Sequence, residues 1–477
     1  MKKNKKNDGI VISFVDSYSA IDVTGSNIFV ETPNYKILLD CGLHQSNNKL
    51  DDYLINSRKP REYKPKELDF IFVLHTHGDH CLLVPKYYKD GFRGATVMPS
   101  NTKDVYKKMA MDSAYINERD VKVINDQNKT KYLPLYTTED VDTSMNHILE
   151  YPINEKIKIN EELEFMFIPS GHLLNGCQLL LWITVGETKK CIGYTSDIGN
   201  PLVDNKFVGK LERIESCDLM IAESTYGDRK ELKVRTKERN NDLDKLKTII
   251  DTQILQLKGR VVIPTFAQCR SVQLLEFLYR TYGEDFPYKI YLDSPLAIGL
   301  FRDLENQLDD EDLEIFNKIL NWKALILSKE SIESKAIVES KEPCLVISTS
   351  GMMNVGRIRH HFKRIVSDPN ATILFCGYST DGSLASMLKD NKRKTIDIDG
   401  KEYKIRCASY NLKSMSGHAT HEILLDYYSN VNCNKIILHH GSEKAKNELA
   451  KDLKEELSKK CKSTRVICAN NSLKVNL

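Results

Sequence analysis

The sequence predicts an α/β protein whose chemistry sits where strands run out into loops. Three observations carry that expectation. Short apolar runs with turn punctuation fill the first half. Metal-competent side chains follow several of those runs. From about residue 225 strands and helices alternate, the pattern of βαβ units on a mostly parallel sheet.

The first-half strands are expected over residues 10–14, 27–31, 36–40, 70–74, 164–168, 178–184, 191–197 and 219–223. Asp40, His75 to His80, Asp197 and Glu223 lie at the ends of four of them, and α/β folds place their chemistry at strand ends. Beyond a charged stretch (228–244), strands are expected over 260–264, 289–292, 345–348 and 372–377. Helical patterns run to 257 and over 271–282, 300–319 and 356–365. The last segment reads as strand 403–410, helix 422–428, strand 435–439, helix 444–458 and strand 465–469.

With 477 residues, 41% hydrophobic and 28% charged, the chain has an ordinary globular balance and length for more than one core. A formal net charge of +3 permits a nucleic-acid partner without arguing for one. The 12 cysteines are scattered with no CxxC pair, and several sit in apolar runs. They read as buried free thiols of a reducing compartment. Residues 1–8 are polar with no signal-like apolar stretch behind them, and no run has the length of a membrane helix. The expected location is cytoplasmic, with no membrane partner.

The strongest chemical signal is His75-Thr76-His77-Gly78-Asp79-His80. Imidazole and carboxylate both suit zinc. His75 and His77 are two apart, so on extended backbone they point the same way and can share one ion. Gly78 lets the chain turn, so that Asp79 and His80 can serve a second. Further ligands are expected at His172 in Ser170-Gly171-His172, at Asp197, and at His418 in Ser416-Gly417-His418. Each of these alone reads more readily as a structural residue, Asp197 as a turn residue or a cap. As a set behind HxHxDH they read as ligands.

HTHGDH with upstream Asp40 and downstream His172 and Asp197 resembles the metallo-β-lactamase superfamily. Glu223-Ser224-Thr225-Tyr226-Gly227 is similar to a motif of its β-CASP branch, as are Pro264-Thr265-Phe266-Ala267 with Arg270 and Gln273, and Asp293-Ser294-Pro295. Ser350-Gly351-Met352-Met353 with Gly356-Arg357, Gly377-Tyr378 with Gly382, and the closing His440-Gly441-Ser442-Glu443 extend the resemblance to nearly the whole chain. It implies a four-layer αββα sandwich from residues 1–222 and 403–477, with an inserted parallel-sheet β-CASP domain over 223–402 and RNA entering between the two.

The resemblance also implies roles. His75, His77 and His172 would hold one zinc. Asp79, His80 and His418 would hold the other, with Asp197 bridging. Manganese fits the same donor types. Asp40 would orient a ligand histidine, and Glu223 would be the acid of the branch's first motif. A histidine at 418 marks RNA-cutting members, where DNA-cutting relatives tend to carry valine. The implied reaction is hydrolysis of single-stranded RNA by a metal-bridging hydroxide, leaving 5′-phosphate and 3′-OH.

The resemblance breaks at the proton donor. Where the pre-mRNA-cleaving members carry a histidine after Gly-Tyr…Gly-Thr-Leu-Ala, this chain has Met387. His360 and His361 are substitutes, with His421 a further one. Ser416 and Gly417 resemble the ribonuclease J version of their motif, which seats a 5′-phosphate, so 5′-exonuclease and endonuclease both stay open. Arg270, Arg357, Arg359 and Lys363 are candidates for phosphate contacts. Three rival readings are a small-molecule metallo-hydrolase, which leaves 225–400 unexplained, a non-catalytic paralogue and a DNA nuclease. A homodimer or an RNA-processing complex is compatible with the resemblance.

Overall fold

The structure is a computed structural model that describes residues 9–46, 48–202, 207–377, 379, 382–389 and 393–477. Residues 1–8, and Tyr378, Thr380 and Asp381 of the Gly-Tyr run, lie outside the described residues. The chain forms two compact units. The first comprises 1–201, 209–232 and 418–477, and the second 202–208 and 233–417.

The first unit holds two seven-stranded sheets. One runs, in spatial order, Lys474–Asn476, Val11–Ser13, Ile28–Glu31, Lys36–Leu39, Phe70–Phe72, Ala95–Pro99 and Ile148–Tyr151. The other runs Arg465–Cys468, Lys435–His439, Leu219–Glu223, Thr188–Tyr194, Cys177–Val185, Leu163–Pro169 and Lys156–Lys158. Their inward faces share one core, in which Ile12, Phe14, Ile37, Leu39 and Phe72 meet Phe165, Phe167, Leu179, Leu181 and Ile221. Alternating side chains leave the outer faces to be covered by helices. The first sheet packs a cluster with Tyr87, Tyr106 and Ala110 of helices Val84–Lys89 and Lys103–Asn128. The second packs Leu424 and Tyr428 of His421–Asn430, and Leu449 and Leu453 of Glu443–Lys459. This is the expected αββα sandwich.

In the second unit, six strands form an all-parallel sheet in the order Leu325–Leu327, Lys289–Leu292, Cys344–Ser348, Arg260–Pro264, Ala371–Cys376 and Ala408–Leu412. Helices bury Leu274, Leu278 and Phe316 in one cluster and Ile358, Phe362 and Ile365 in another. Sheet strands alternate between these two clusters: Val261, Ile263, Leu345 and Ile347 point into the first, Val262 and Val346 into the second.

Three expectations change. The strand read at 403–410 is two strands: Lys401–Lys404 forms a hairpin with Thr395–Ile398, while Ala408–Leu412 pairs in parallel with Ala371–Cys376. That pairing keeps the chain in the second unit as far as Gly417, where 402 was expected, and the unit's main segment starts at Lys233, where 223 was expected. The helix read at 300–319 is divided into Pro295–Asp303 and Asp310–Leu320, because Asp309 caps the second by accepting from the Asp312 N–H at 2.9 Å.

Candidate metal centre

Apart from His418, the residues of the centre end or closely follow strands of the first unit. Asp40 follows Lys36–Leu39, and His75 to His80 follow Phe70–Phe72 and run into the short helix Gly78–Cys81. His172 follows Leu163–Pro169, and Asp197 follows Thr188–Tyr194. Glu223 ends its strand, and His440 follows the neighbouring strand Lys435–His439, paired in parallel so that Glu223 stands opposite His439. Parallel pairing brings strand ends, and so their side chains, to one edge.

Two glycines let the loops close. A Cβ on Gly199 would stand 1.8 Å from the carbonyl oxygen of Gly171, so only glycine lets the Asp197 loop lie against the His172 loop. A Cβ on Gly441 would stand 2.5 Å from Ser224 Oγ, in the contact that seats His440 beside the Glu223 turn.

Asp197 is the hinge of the geometry. Its Oδ2 faces His75 Nε2 and His172 Nε2, each at 3.7 Å. Its Oδ1 faces His440 Nδ1 at 3.1 Å and His80 Nε2 at 3.5 Å. His77 Nδ1 lies 3.2 Å from His172 Nε2. Asp79 Oδ2 lies 3.4 Å from His440 Nε2 and 3.8 Å from His80 Nε2. Among the described residues, three groups therefore have ligand atoms close enough for an ion: His75, His77, His172 and Asp197; Asp79, His80 and His440; and Asp197, Glu223 and His418.

His418 does not join Asp79 and His80, and His440 stands there in its place. His418 Nδ1 lies 3.7 Å from Glu223 Oε1, and its ring centroid is 4.6 Å from that of His172. The reason lies in the chain path: the strand expected to deliver His418 belongs to the other unit's sheet. His440 obeys the same strand-end rule that singled out Asp40, Asp197 and Glu223, and that rule was the signal that could have found it.

Surrounding residues fix the rings. Asp40 Oδ2 is 2.7 Å from His80 Nδ1, which turns Nε2 inward, and Asp40 also accepts from Tyr194 OH and Ser196 Oγ. Ser196 Oγ holds His75 Nδ1 at 3.1 Å. Glu223 accepts from the backbone N–H of Ile198 (3.1 Å) and of Thr225 (2.9 Å).

A cation fits this donor set. His75 Nε2 is buried with no hydrogen-bond partner among the described residues, although it faces Asp197. A buried polar atom left so costs about 1–3 kcal/mol. Burial, with His80 and His77 beside it, pushes the His75 pKa well below its ordinary value, so the ring is neutral, the form that ligates. Burial opposes charge on His80, but Asp197, Asp40 and Asp79 lift it to about 10. Burial likewise opposes charge on His440, and Asp197 and Asp79 raise it. The carboxylates that favour charge on these two rings are those a divalent ion would engage. Burial pushes Asp197 up against the pull of His440 and His80. Glu223 is held below the usual range, its burial outweighed by His418.

The remaining expected residues, His421 apart, lie in the second unit. His361 Nε2 is 2.6 Å from Asp293 Oδ2, and Arg357 Nη1 donates to Asp293 Oδ1 at 2.7 Å, with further bonds to the carbonyls of Ser328 and Lys329. Arg359 and Lys363 both pair with Asp399 at the tip of the hairpin. Arg270 is buried and donates to Gln273. His360 is exposed on its helix, Met387 packs at the edge of an apolar cluster, and Ser416 is buried. His421, in the first unit, bonds the Gly227 carbonyl and Asp452.

Comparison with known proteins places these features in context. A family model described as the Beta-Casp domain matches residues 272–388, and one described as the Zn-dependent metallo-hydrolase RNA specificity domain matches 402–463. The chain is 29% identical to Ribonuclease TTHA0252 of Thermus thermophilus over 89% of this chain and 92% of that protein. It is 25% identical to Transcription termination factor FttA of Methanocaldococcus jannaschii, covering 91% and 67%. To Cleavage and polyadenylation specificity factor 73 of Drosophila melanogaster it is 25% identical, covering 91% and 60%. A crystal structure of a protein of unknown function from Enterococcus faecalis shares the fold, with a TM-score of 0.55 at 13% identity over 98% of this chain and all of that one.

Proposed function

The chain belongs to the β-CASP branch of the metallo-β-lactamase superfamily, and on that premise we propose that it is a zinc-dependent endoribonuclease in which His440 holds metal and His418 moves the proton. The observation that carries this reading is the double-sided Asp197, with one histidine pair facing each carboxylate oxygen.

His75, His77 and His172 would hold one ion, and Asp79, His80 and His440 the other, with Asp197 between them. Two such ions supply a nucleophile from water at neutral pH and neutralise charge on phosphoryl oxygens. Everything else falls to the chain. Asp40 fixes the His80 tautomer through Nδ1, and Ser196 does the same for His75. Glu223, pinned by two backbone N–H groups, orients His418 and offers the ring a compensating charge. His418 gives its proton to the leaving 3′-oxygen, which leaves a 3′-OH on one product and a 5′-phosphate on the other. Such a donor contributes about 10²–10⁴-fold. With His418 in this role, the chain needs no histidine at Met387, and His361 stays a structural partner of Asp293.

The reading is tested by metal content together with cleavage of 5′-labelled single-stranded RNA. Near two zincs per chain, and short mixed products that vanish in Asp79→Ala, are the expected result. Released mononucleotide would reassign the mode to 5′-exonuclease, the activity that Ser416 and Gly417 resemble. A metal-loaded chain that cuts no RNA would overturn the proposal.

A further inference from the structure

The second unit contains a buried cation that no described residue pairs with directly. Arg239, on the helix Thr236–Ile250, is only 8% exposed, yet its side chain makes no hydrogen bond or ion pair among the described residues, and Nη1 is fully buried. Its neighbours are Arg270, Cys376, Glu276 and Asp242. Both acids are occupied elsewhere. Asp242 Oδ2 accepts from Ser414 N (2.9 Å) and Ser414 Oγ (2.7 Å), and its Oδ1 pairs with Lys245. Glu276 pairs with Arg280. A guanidinium stays charged at neutral pH: burial, and then Arg270, lower Arg239 only to about 10.

The surroundings are those of an oxyanion seat. Arg270 opens the 13-residue helix Arg270–Tyr282. That helix follows strand Arg260–Pro264, and Cys376 ends the adjacent strand Ala371–Cys376. Arg239, Lys389 and Arg270 all act on Cys376, with Asp242 acting in the opposite sense. The carboxyl edge of a parallel sheet is where α/β folds seat ligands. A helix N-terminus favours anions, and planar guanidinium forks match phosphoryl oxygens.

We propose that Arg239 and Arg270 form a binding site for a phosphate group at this edge of the second unit's sheet. The phosphate belongs either to an RNA strand, in which case the site rests on the ribonuclease reading, or to the free ion.

The first test is thermal unfolding of the metal-loaded full chain in phosphate-free buffer and in inorganic phosphate, against chloride at equal ionic strength. Wild type should gain about 3 °C or more with saturating phosphate. Arg239→Met should unfold no earlier than wild type without phosphate, because it removes an unpaired charge, and should lose the phosphate response. Arg239→Lys, which keeps the charge, should retain part of that response. A wild type that does not respond to phosphate, or an Arg239→Met that responds as wild type does, overturns the proposal.

The source is read from anisotropy of a 5′-phosphorylated, 3′-labelled RNA decamer on an Asp79→Ala background. A weakening of about tenfold by Arg239→Met assigns the site to RNA. Unchanged RNA binding with a lost phosphate response assigns it to the free ion. A phosphate response in a chain that cuts no RNA would strike the ribonuclease reading alone.

Discussion

His418 Nδ1 lies 3.7 Å from Glu223 Oε1, grouped with Asp197 and apart from Asp79. The place beside Asp79 and His80 is filled by His440. The two histidines should therefore fail differently. His440→Ala should lose bound metal and activity together. His418→Ala should keep its metal and lose about 10²–10⁴-fold in kcat. Metal analysis beside single-turnover cleavage separates them. A His418→Ala protein depleted of metal, with His440→Ala still loaded, would reverse the assignment.

Asp40 is buried, belongs to none of the three ligand groups, and acts through His80. Replacing it by Asn leaves the ring nitrogen at Nδ1 without its carboxylate. Zinc affinity should fall about 10–100-fold, the usual range for such outer partners, with activity recovered at high zinc. Competition with a chromophoric chelator measures this. Unchanged affinity together with a large loss in kcat would move Asp40 into the chemistry itself.

The sandwich and most of its site were legible because both depend on local pattern. HxHxDH behind an apolar run, and acids at the ends of strands, can be seen without any long-range pairing. What escaped needed partners far apart in sequence. His440 sits with Glu223 only because Leu219–Glu223 and Lys435–His439 pair in parallel. The segment before His418 contains a strand, but that strand pairs with Ala371–Cys376, a choice periodicity cannot reveal. Likewise Arg357, Arg359 and Lys363 looked like a phosphate-binding face, whereas Asp293 and the hairpin-tip Asp399 engage them. Arg239 carried no signal at all: a charged residue on a polar helix reads as solvated until the fold buries it.

Asp293 gives a stability prediction with a definite sign. Burial raises its pKa, but His361, Ser334 and Arg357 more than reverse this and hold it at about 2, against an ordinary 3.8. A carboxyl depressed on folding adds stability that is whole above its unfolded pKa and drains as pH falls through the folded one. The contribution is roughly 2 kcal/mol. Asp293→Asn should be clearly less stable than wild type at pH 6, with a gap that narrows between about pH 4 and pH 2. Urea midpoints across that range test it. A gap constant with pH would mean that Asp293 acts through packing rather than charge.

Removing the metal should cost stability as well as activity. Without a cation, the first unit must bury Asp40, Asp197 and Glu223, with Asp79 half-buried beside them, near a His75 whose Nε2 has no hydrogen-bond partner among the described residues. Buried charges are tolerated when paired or metal-bound, so chelation removes binding energy that is also folding energy. The chelated protein should unfold several degrees earlier than the zinc-loaded one, a shift in proportion to RT ln(1 + [Zn]/Kd). In Asp197→Ala, which takes away the carboxylate facing both histidine pairs, chelation should shift the transition much less. Calorimetry with and without chelator, on both proteins, gives the comparison. Equal chelator effects in wild type and Asp197→Ala would show that the stabilising ion sits away from the residues assembled here.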